Sequence, residues 1–291
     1  MGLSAFQCAM EGRTEHAPTS DEYPETIVKR TSFESGGGFG WKISGLWTPR
    51  ETPAEWKIVV VTGAPSWAEY WAPTLAALPV EREMLVVDRP GFANSEPFHC
   101  VPDIRTQAEA LLPALDAAPG QRVLLVGQSY GAAIATLMAA ANPGKVAGVV
   151  LLSGYFGEFG RTSRFLVKLG SRLFKIIPRD IRHGIMEVTG QAPQLGYFKD
   201  ALSRLRVPVH ILHGEKDDYA PLEAAEKLVR EVRTRRPVRF ERLANADHFP
   251  QDSQPQALWE ALQRCVPQRR TLNLMEMAKE KLAPRSAANA A

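Results

Sequence analysis

The chain has 291 residues, enough for one large α/β domain or two small ones around a substantial core. Apolar residues make up 45% and charged residues 23%, the balance of an ordinary soluble globular protein. Its net charge of +3 is too small to argue for a nucleic-acid partner.

Cys8, Cys100 and Cys265 stand far apart and lack metal-ligand spacing, so they read as reduced, incidental thiols. No apolar run approaches the ~18 residues that span a bilayer. Residues 1–20 show no basic region followed by a hydrophobic run, and Phe6 breaks the myristoylation pattern. The expectation is a cytoplasmic protein.

Residues 1–24 are polar and unpatterned and read as a loose lead. Two strand-like runs, 26–33 and 38–47, flank the glycines 36–38 and predict a hairpin. The apolar run 57–61 predicts a strand buried on both faces of a parallel sheet, and 68–78 a helix. A second buried strand, 84–87, leads to Asp88-Arg89-Pro90-Gly91-Phe92-Ala93-Asn94-Ser95. A helix is expected over 103–117, where Ala108, Leu111, Leu112 and Leu115 recur at helical spacing. Further strands are predicted at 146–152, 207–212 and 238–243, with helices at 221–235 and 256–266. This alternation implies a parallel sheet with right-handed crossovers. It breaks over 153–205, a basic, helical stretch without strand signals. Beyond 267 the chain reads as a peripheral tail with one short helix at 272–282.

The chain is organised around Arg122-Val123-Leu124-Leu125-Val126-Gly127-Gln128-Ser129-Tyr130-Gly131, an apolar strand running into Gly-x-Ser-x-Gly and then into a small-residue helix. That context predicts a nucleophile elbow: a sharp turn with a strained serine, and glycines that let strand and helix approach closely. The Ser129 hydroxyl would face outward at a helix N-terminus, which favours a developing oxyanion. A serine needs a base, and a histidine base needs an acid to hold its tautomer. The loop after the 207–212 strand carries Gly214, Asp217, Asp218 and Pro221, and the loop after the last strand carries Asp247 and His248. Both loops fall at the carboxyl edge of the sheet, where open α/β sheets bind ligands. The order is serine, carboxylate, histidine.

From about residue 25 to 266 the chain resembles the α/β-hydrolase superfamily of serine hydrolases. The resemblance implies a doubly wound, mostly parallel sheet with a helical cap insertion. It divides the chain into a lead (1–24), a core (25–153 and 206–266), a cap (154–205) and a tail (267–291). The family's Gly-x-x-Asp-x-x-x-Pro pattern is matched by Gly214, Asp217 and Pro221, which favours Asp217 over Asp218. The implied triad is Ser129, Asp217 and His248, with an oxyanion hole from the backbone N–H groups of Ala64 and Tyr130. Thr62-Gly63 stands where the family usually has His-Gly, which leaves the support of that loop open, and Ala93 is a lesser departure. A serine at 129 excludes the haloalkane dehalogenase and epoxide hydrolase branches, which need a carboxylate nucleophile. Hydrolysis needs water alone, so no cofactor and no metal are implied.

Trp67, Tyr155, Phe156, Phe159 and Phe249 are candidate pocket residues, and core packing explains them equally well. In the insertion, Leu166, Leu169, Leu173 and Ile176 recur on one helical face and Arg164, Lys168, Arg172, Lys175 and Arg179 on another. The plainer reading turns the apolar side toward the pocket and the basic side to water. The sharper one sets the basic face against an anionic membrane. The expected function is hydrolysis of a small or medium hydrophobic carboxylic ester through an acyl-enzyme. The same triad would serve a thioesterase, amidase, acyltransferase or carbon–carbon bond hydrolase, and a catalytically silent fold used for binding is the alternative of a different class. Oligomeric state has no signature in the sequence.

Overall fold

The computed structural model describes residues 26–266. The lead, residue 25 of the expected core, and the tail with its expected helix lie outside them. Eight strands form one sheet: β1 (Lys29–Glu34), β2 (Lys42–Trp47), β3 (Trp56–Val61), β4 (Arg82–Val87), β5 (Arg122–Gln128), β6 (Val146–Leu152), β7 (Val209–Gly214) and β8 (Val238–Leu243). Their order is β1-β2-β4-β3-β5-β6-β7-β8. β2 runs antiparallel to both neighbours, and every other pairing is parallel. The helices are α1 (Ala72–Ala76), α2 (Ile104–Ala110), α3 (Gly131–Ala141), α4 (Arg161–Arg172), α5 (Arg179–Gly190), α6 (Leu195–Arg204), α7 (Leu222–Glu231), α8 (Pro250–Ser253) and α9 (Pro255–Cys265).

The central strands divide their side chains between two cores because successive residues point to opposite faces. Val59, Val61, Val123, Leu125, Val149 and Leu151 pack toward α2, α3, α6 and α7. Ile58, Val60, Leu124, Val126, Val150 and Leu152 pack toward α1 and α9. Burying each such side chain is worth roughly 1.5–3 kcal/mol. α3 is apolar nearly all round and sits almost wholly inside, as such a composition requires.

Several elements depart from expectation for local reasons. The 68–78 helix is a 3-10 turn (Ala68–Trp71) followed by short α1, because Pro73 supplies no N–H. Pro113 likewise ends α2 at Ala110, and a 3-10 turn (Leu112–Leu115) follows. The hairpin's second strand starts at Lys42 rather than 38, since Gly38 and Gly40 adopt φ of 67° and 66°. α7 ends at Glu231, four residues early, where Val232 turns extended. Residues 154–205 contain α4, α5 and α6 and no strand.

The main correction concerns α4. Phe165, Leu166, Leu169, Leu173 and Ile176 are exposed and do not face the body of the protein. The helix and the turns after it rest instead on buried Gly170 and partly buried Ser163, Val167, Phe174 and Ile177, and a Cβ at Gly170 would overlap Ile185 of α5. α4 is apolar on two stripes. Periodicity alone did not say which one seats, and the stripe with the glycine permits the closer approach.

Cys100 and Cys265 are free. Burial pushes both thiols up to about 12, out of the reactive range. Cys8 lies outside the described residues. No described helix is long and apolar enough to cross a membrane.

Candidate active site

β5 ends in a turn where Ser129 takes φ 52°, a left-handed conformation that costs a non-glycine residue energy. Neighbouring glycines make the turn possible. A Cβ on Gly127 would lie 2.7 Å from the Ala132 Cα, and one on Gly131 would overlap the Val61 carbonyl. Ser129 is held from behind, its N–H donating to Leu152 O at 2.9 Å.

The loops after β7 and β8 are tied together. Glu215 N donates to Leu243 O, Lys216 N donates to Ala246 O, and a Cβ on Gly214 would overlap the Ala246 and Asp247 carbonyls. This pairing brings His248 between Asp217 and Ser129. The Ser129 hydroxyl donates to His248 Nε2 at 3.0 Å, and His248 Nδ1–H donates to Asp217 Oδ2 at 2.8 Å. Asp217 Oδ1 accepts from the N–H groups of Tyr219 and Ala220 at 2.9 and 2.8 Å. Asp218 turns elsewhere, accepting from Thr162 Oγ1 and Arg161 N at the start of α4.

Two neighbours of this relay were not legible in the sequence. His213 donates from Nε2 to Ala220 O at 2.9 Å and lies 3.3 Å from Asp217 Oδ2. The Tyr219 ring stacks on His248 at 5.0 Å, while Phe249 meets it edge-on at 5.2 Å. Only their closeness to Asp217 and His248 along the chain could have signalled them. Burial alone would raise the Asp217 carboxyl, but His248 and His213 outweigh it and hold the group well below the usual carboxylate range.

The two expected oxyanion donors share one construction. In a trans peptide the N–H points opposite to the preceding carbonyl. The Ser129 carbonyl accepts from Ala132 N and Tyr155 N, both at 3.1 Å, which fixes the Tyr130 N–H. The Gly63 carbonyl accepts from Arg89 Nη2 at 2.7 Å, which fixes the Ala64 N–H. Among the described residues neither amide donates to a backbone carbonyl outside the regular elements. Gly63 packs beside the serine: a Cβ there would lie 3.0 Å from Ser129 Cβ, and its own N–H donates to Gln128 Oε1 at 3.0 Å.

Arg89 answers the question left by Thr62-Gly63. Wholly buried, it directs all five N–H donors: Nε to Thr62 O, Nη2 to Gly63 O and Glu187 Oε2, Nη1 to Gln107 Oε1 and Glu187 Oε1, each at 2.7–2.8 Å. Its guanidinium also lies over the Phe92 and Tyr130 rings. Burial pushes the Glu187 carboxyl up, and Arg89 and Gln107 oppose that rise. Glu187 belongs to α5, so one ion pair joins that helix to the loop after β3. Further bonds reinforce the junction: His183 Nδ1 to Gly91 O, Ala93 N to Asp180 Oδ2, and Arg179 Nη2 to Ala93 O. Gly184 lets α5 lie directly on Pro65, 2.8 Å from where its Cβ would be.

The candidate pocket aromatics separate. Phe249 touches His248, whereas Phe156 stacks on buried Phe198 at 5.2 Å and belongs to the core. Tyr155 donates from Oη to Val188 O, and its ring faces Phe159 at 5.5 Å. Trp67 is buried against Tyr70 at 4.8 Å. A hollow of about 750 Å³ lies at the opposite edge of the sheet, lined by Arg122, Lys145, Pro208 and Arg264. It is remote from Ser129 and plays no part in this site. Among the described residues no group of three or more His, Cys, Asp or Glu side chains converges as a metal site would require.

Residues 58–198 match the family model described as the α/β hydrolase fold. A stretch of 122 residues is 33% identical to the candidate carbamate hydrolase RutD of Klebsiella pneumoniae, covering 40% of this chain and 46% of that protein. The chain therefore spans about half the length of the curated relatives it matches. Among solved structures, a thermophilic esterase from Thermogutta terrifontis is similar with a TM-score of 0.61 at 20% identity, over 81% of this chain and 99% of that one. The 2-hydroxy-6-oxo-6-phenylhexa-2,4-dienoate hydrolase of Rhodococcus sp. strain RHA1 is similar with a TM-score of 0.59 at 16% identity, over 82% and 99%. The sheet order, the family-model match and these structures agree: the chain has the α/β-hydrolase fold.

Proposed function

We propose that the protein is a serine hydrolase that cleaves carboxylic esters of small or medium hydrophobic substrates through an acyl-enzyme. The observation that carries this reading is the unbroken relay from Ser129 through His248 to Asp217, at 3.0 and 2.8 Å. His248, neutral with its proton on Nδ1, takes the serine proton as Ser129 attacks the carbonyl carbon. The resulting imidazolium is stabilised by Asp217, and the N–H groups of Ala64 and Tyr130 receive the oxyanion. His248 then protonates the leaving alcohol. Water enters, gives its proton to the same imidazole, and releases the acid. Residues 154–205 act as a cap, with α5 as the part seated on the Ala64-Pro65 turn.

A second substrate class has its own support. The stretch similar to a candidate carbamate hydrolase makes a carbamate, whose carbonyl is open to the same attack, the nearest variant of this chemistry. Hydrolysis of p-nitrophenyl esters from acetate to laurate, beside a p-nitrophenyl carbamate, tests both. The expected result is turnover with an optimum among the shorter esters, abolished by pretreatment with a fluorophosphonate. Turnover that survives the fluorophosphonate would contradict the serine mechanism. A preference for the carbamate would move the assignment to that class.

A further inference from the structure

α4 and the turns after it carry a surface that the proposed chemistry does not use. Residues 161–178 contain five cations, Arg161, Arg164, Lys168, Arg172 and Lys175, and no Asp or Glu. At 100° per residue Arg161, Arg164, Lys168 and Arg172 form one row on α4 and Phe165, Leu166 and Leu169 the row beside it, while Leu173, Lys175 and Ile176, exposed as well, lie in the turns that follow. Both rows point away from the protein. Phe165 is 63% exposed and Ile176 79%, although Phe and Ile are among the residues most often buried. The third stripe, through Gly170, is the one seated on α5. A second copy of the chain is a poor cover for this face, since a two-fold contact would set one cationic row against its twin. An anionic bilayer satisfies both rows: its headgroups meet the cations, and its acyl boundary takes the apolar side chains.

We infer that this face docks the protein peripherally on an anionic lipid surface, with α4 lying in the plane of the interface. The start of α4 is bonded to Asp218, the residue after Asp217, so the docked face borders the loop that carries the acid. The inference concerns binding and holds whatever bond the site cleaves.

Flotation of the full chain with phosphatidylcholine vesicles, with and without phosphatidylglycerol, tests it. The chain should float with the anionic vesicles alone and be released by salt. Lys168→Glu with Arg172→Glu should lower the vesicle partition coefficient more than about tenfold, and Phe165→Ser with Ile176→Ser should lower it as well. These side chains are exposed, so unchanged thermal melts of the variants confirm that the fold is kept. Absence of flotation would overturn the inference, and so would equal binding to neutral vesicles or variants that float like the wild type. A dimer in gel filtration that the same substitutions dissociate would assign the face to a second copy instead. Residues 1–25 and 267–291 are present in the full chain, so a face they occupy registers as no flotation.

Discussion

Asp217→Asn is expected to lower kcat for ester hydrolysis by about 10³–10⁴-fold in a protein that still folds. Asn fits the same space, and its amide oxygen can still accept from the Tyr219 and Ala220 N–H groups that now bond Oδ1. What changes is the group facing His248. An amide N–H cannot accept from Nδ1–H, so the imidazole adopts the other tautomer and presents Nε2–H to Ser129. The serine then has no base. The depressed Asp217 carboxyl contributes stability above the ordinary carboxylate pKa, and this contribution is lost as pH falls through the folded value. The variant should therefore lose about 1–3 kcal/mol at neutral pH and lower Tm by less than about 10 °C. A kcat within about tenfold of wild type in a cooperatively melting variant would remove Asp217 from the relay. Asp217 also stays ionised far below neutrality, so its own protonation should not limit wild-type activity between about pH 5 and 8.

The second large effect is expected at Arg89, which acts as a positioning residue. Arg89→Met strands the Glu187 carboxylate and the Thr62 and Gly63 carbonyls in a dry site, at a cost of about 3–5 kcal/mol. It also frees the Gly63–Ala64 peptide to rotate, so kcat should fall about 10²–10³-fold, the usual loss when one oxyanion donor goes. KM should change little, because the donor meets charge that exists only in the transition state. Stability and positioning separate in the double variant Arg89→Met with Glu187→Leu. Replacing a buried ion pair by apolar side chains is often neutral, so the melt should recover in part, the Thr62 and Gly63 carbonyls still lacking their donor, while kcat stays low. Recovery of kcat together with the melt would make Arg89 purely structural.

The fold was legible wherever one signal dominated. Strands β3, β5 and β6 are short apolar runs bounded by turn residues, and the elbow glycines mark a place where strand and helix nearly touch. Ser129, Asp217 and His248 could be named as candidates because each follows a strand end at a loop with its own motif, and the structure brings the three side chains together. Arg89 could not. It sits in a Pro-Gly turn like many surface arginines, and only tertiary packing supplies Glu187, 98 positions away, as its partner. His213 and Tyr219 were hidden for the same reason. α4 was read as an amphipathic helix with the wrong face inward, since its seating is decided by Gly170 against Ile185 rather than by its larger side chains.

The most direct measurement of the central claim is the site of covalent modification by a fluorophosphonate, mapped by peptide mass spectrometry. The account predicts a single adduct on Ser129, absent from Ser129→Ala and formed far more slowly in Asp217→Asn. An adduct on another serine, or none on a folded protein that still cleaves esters, would contradict it.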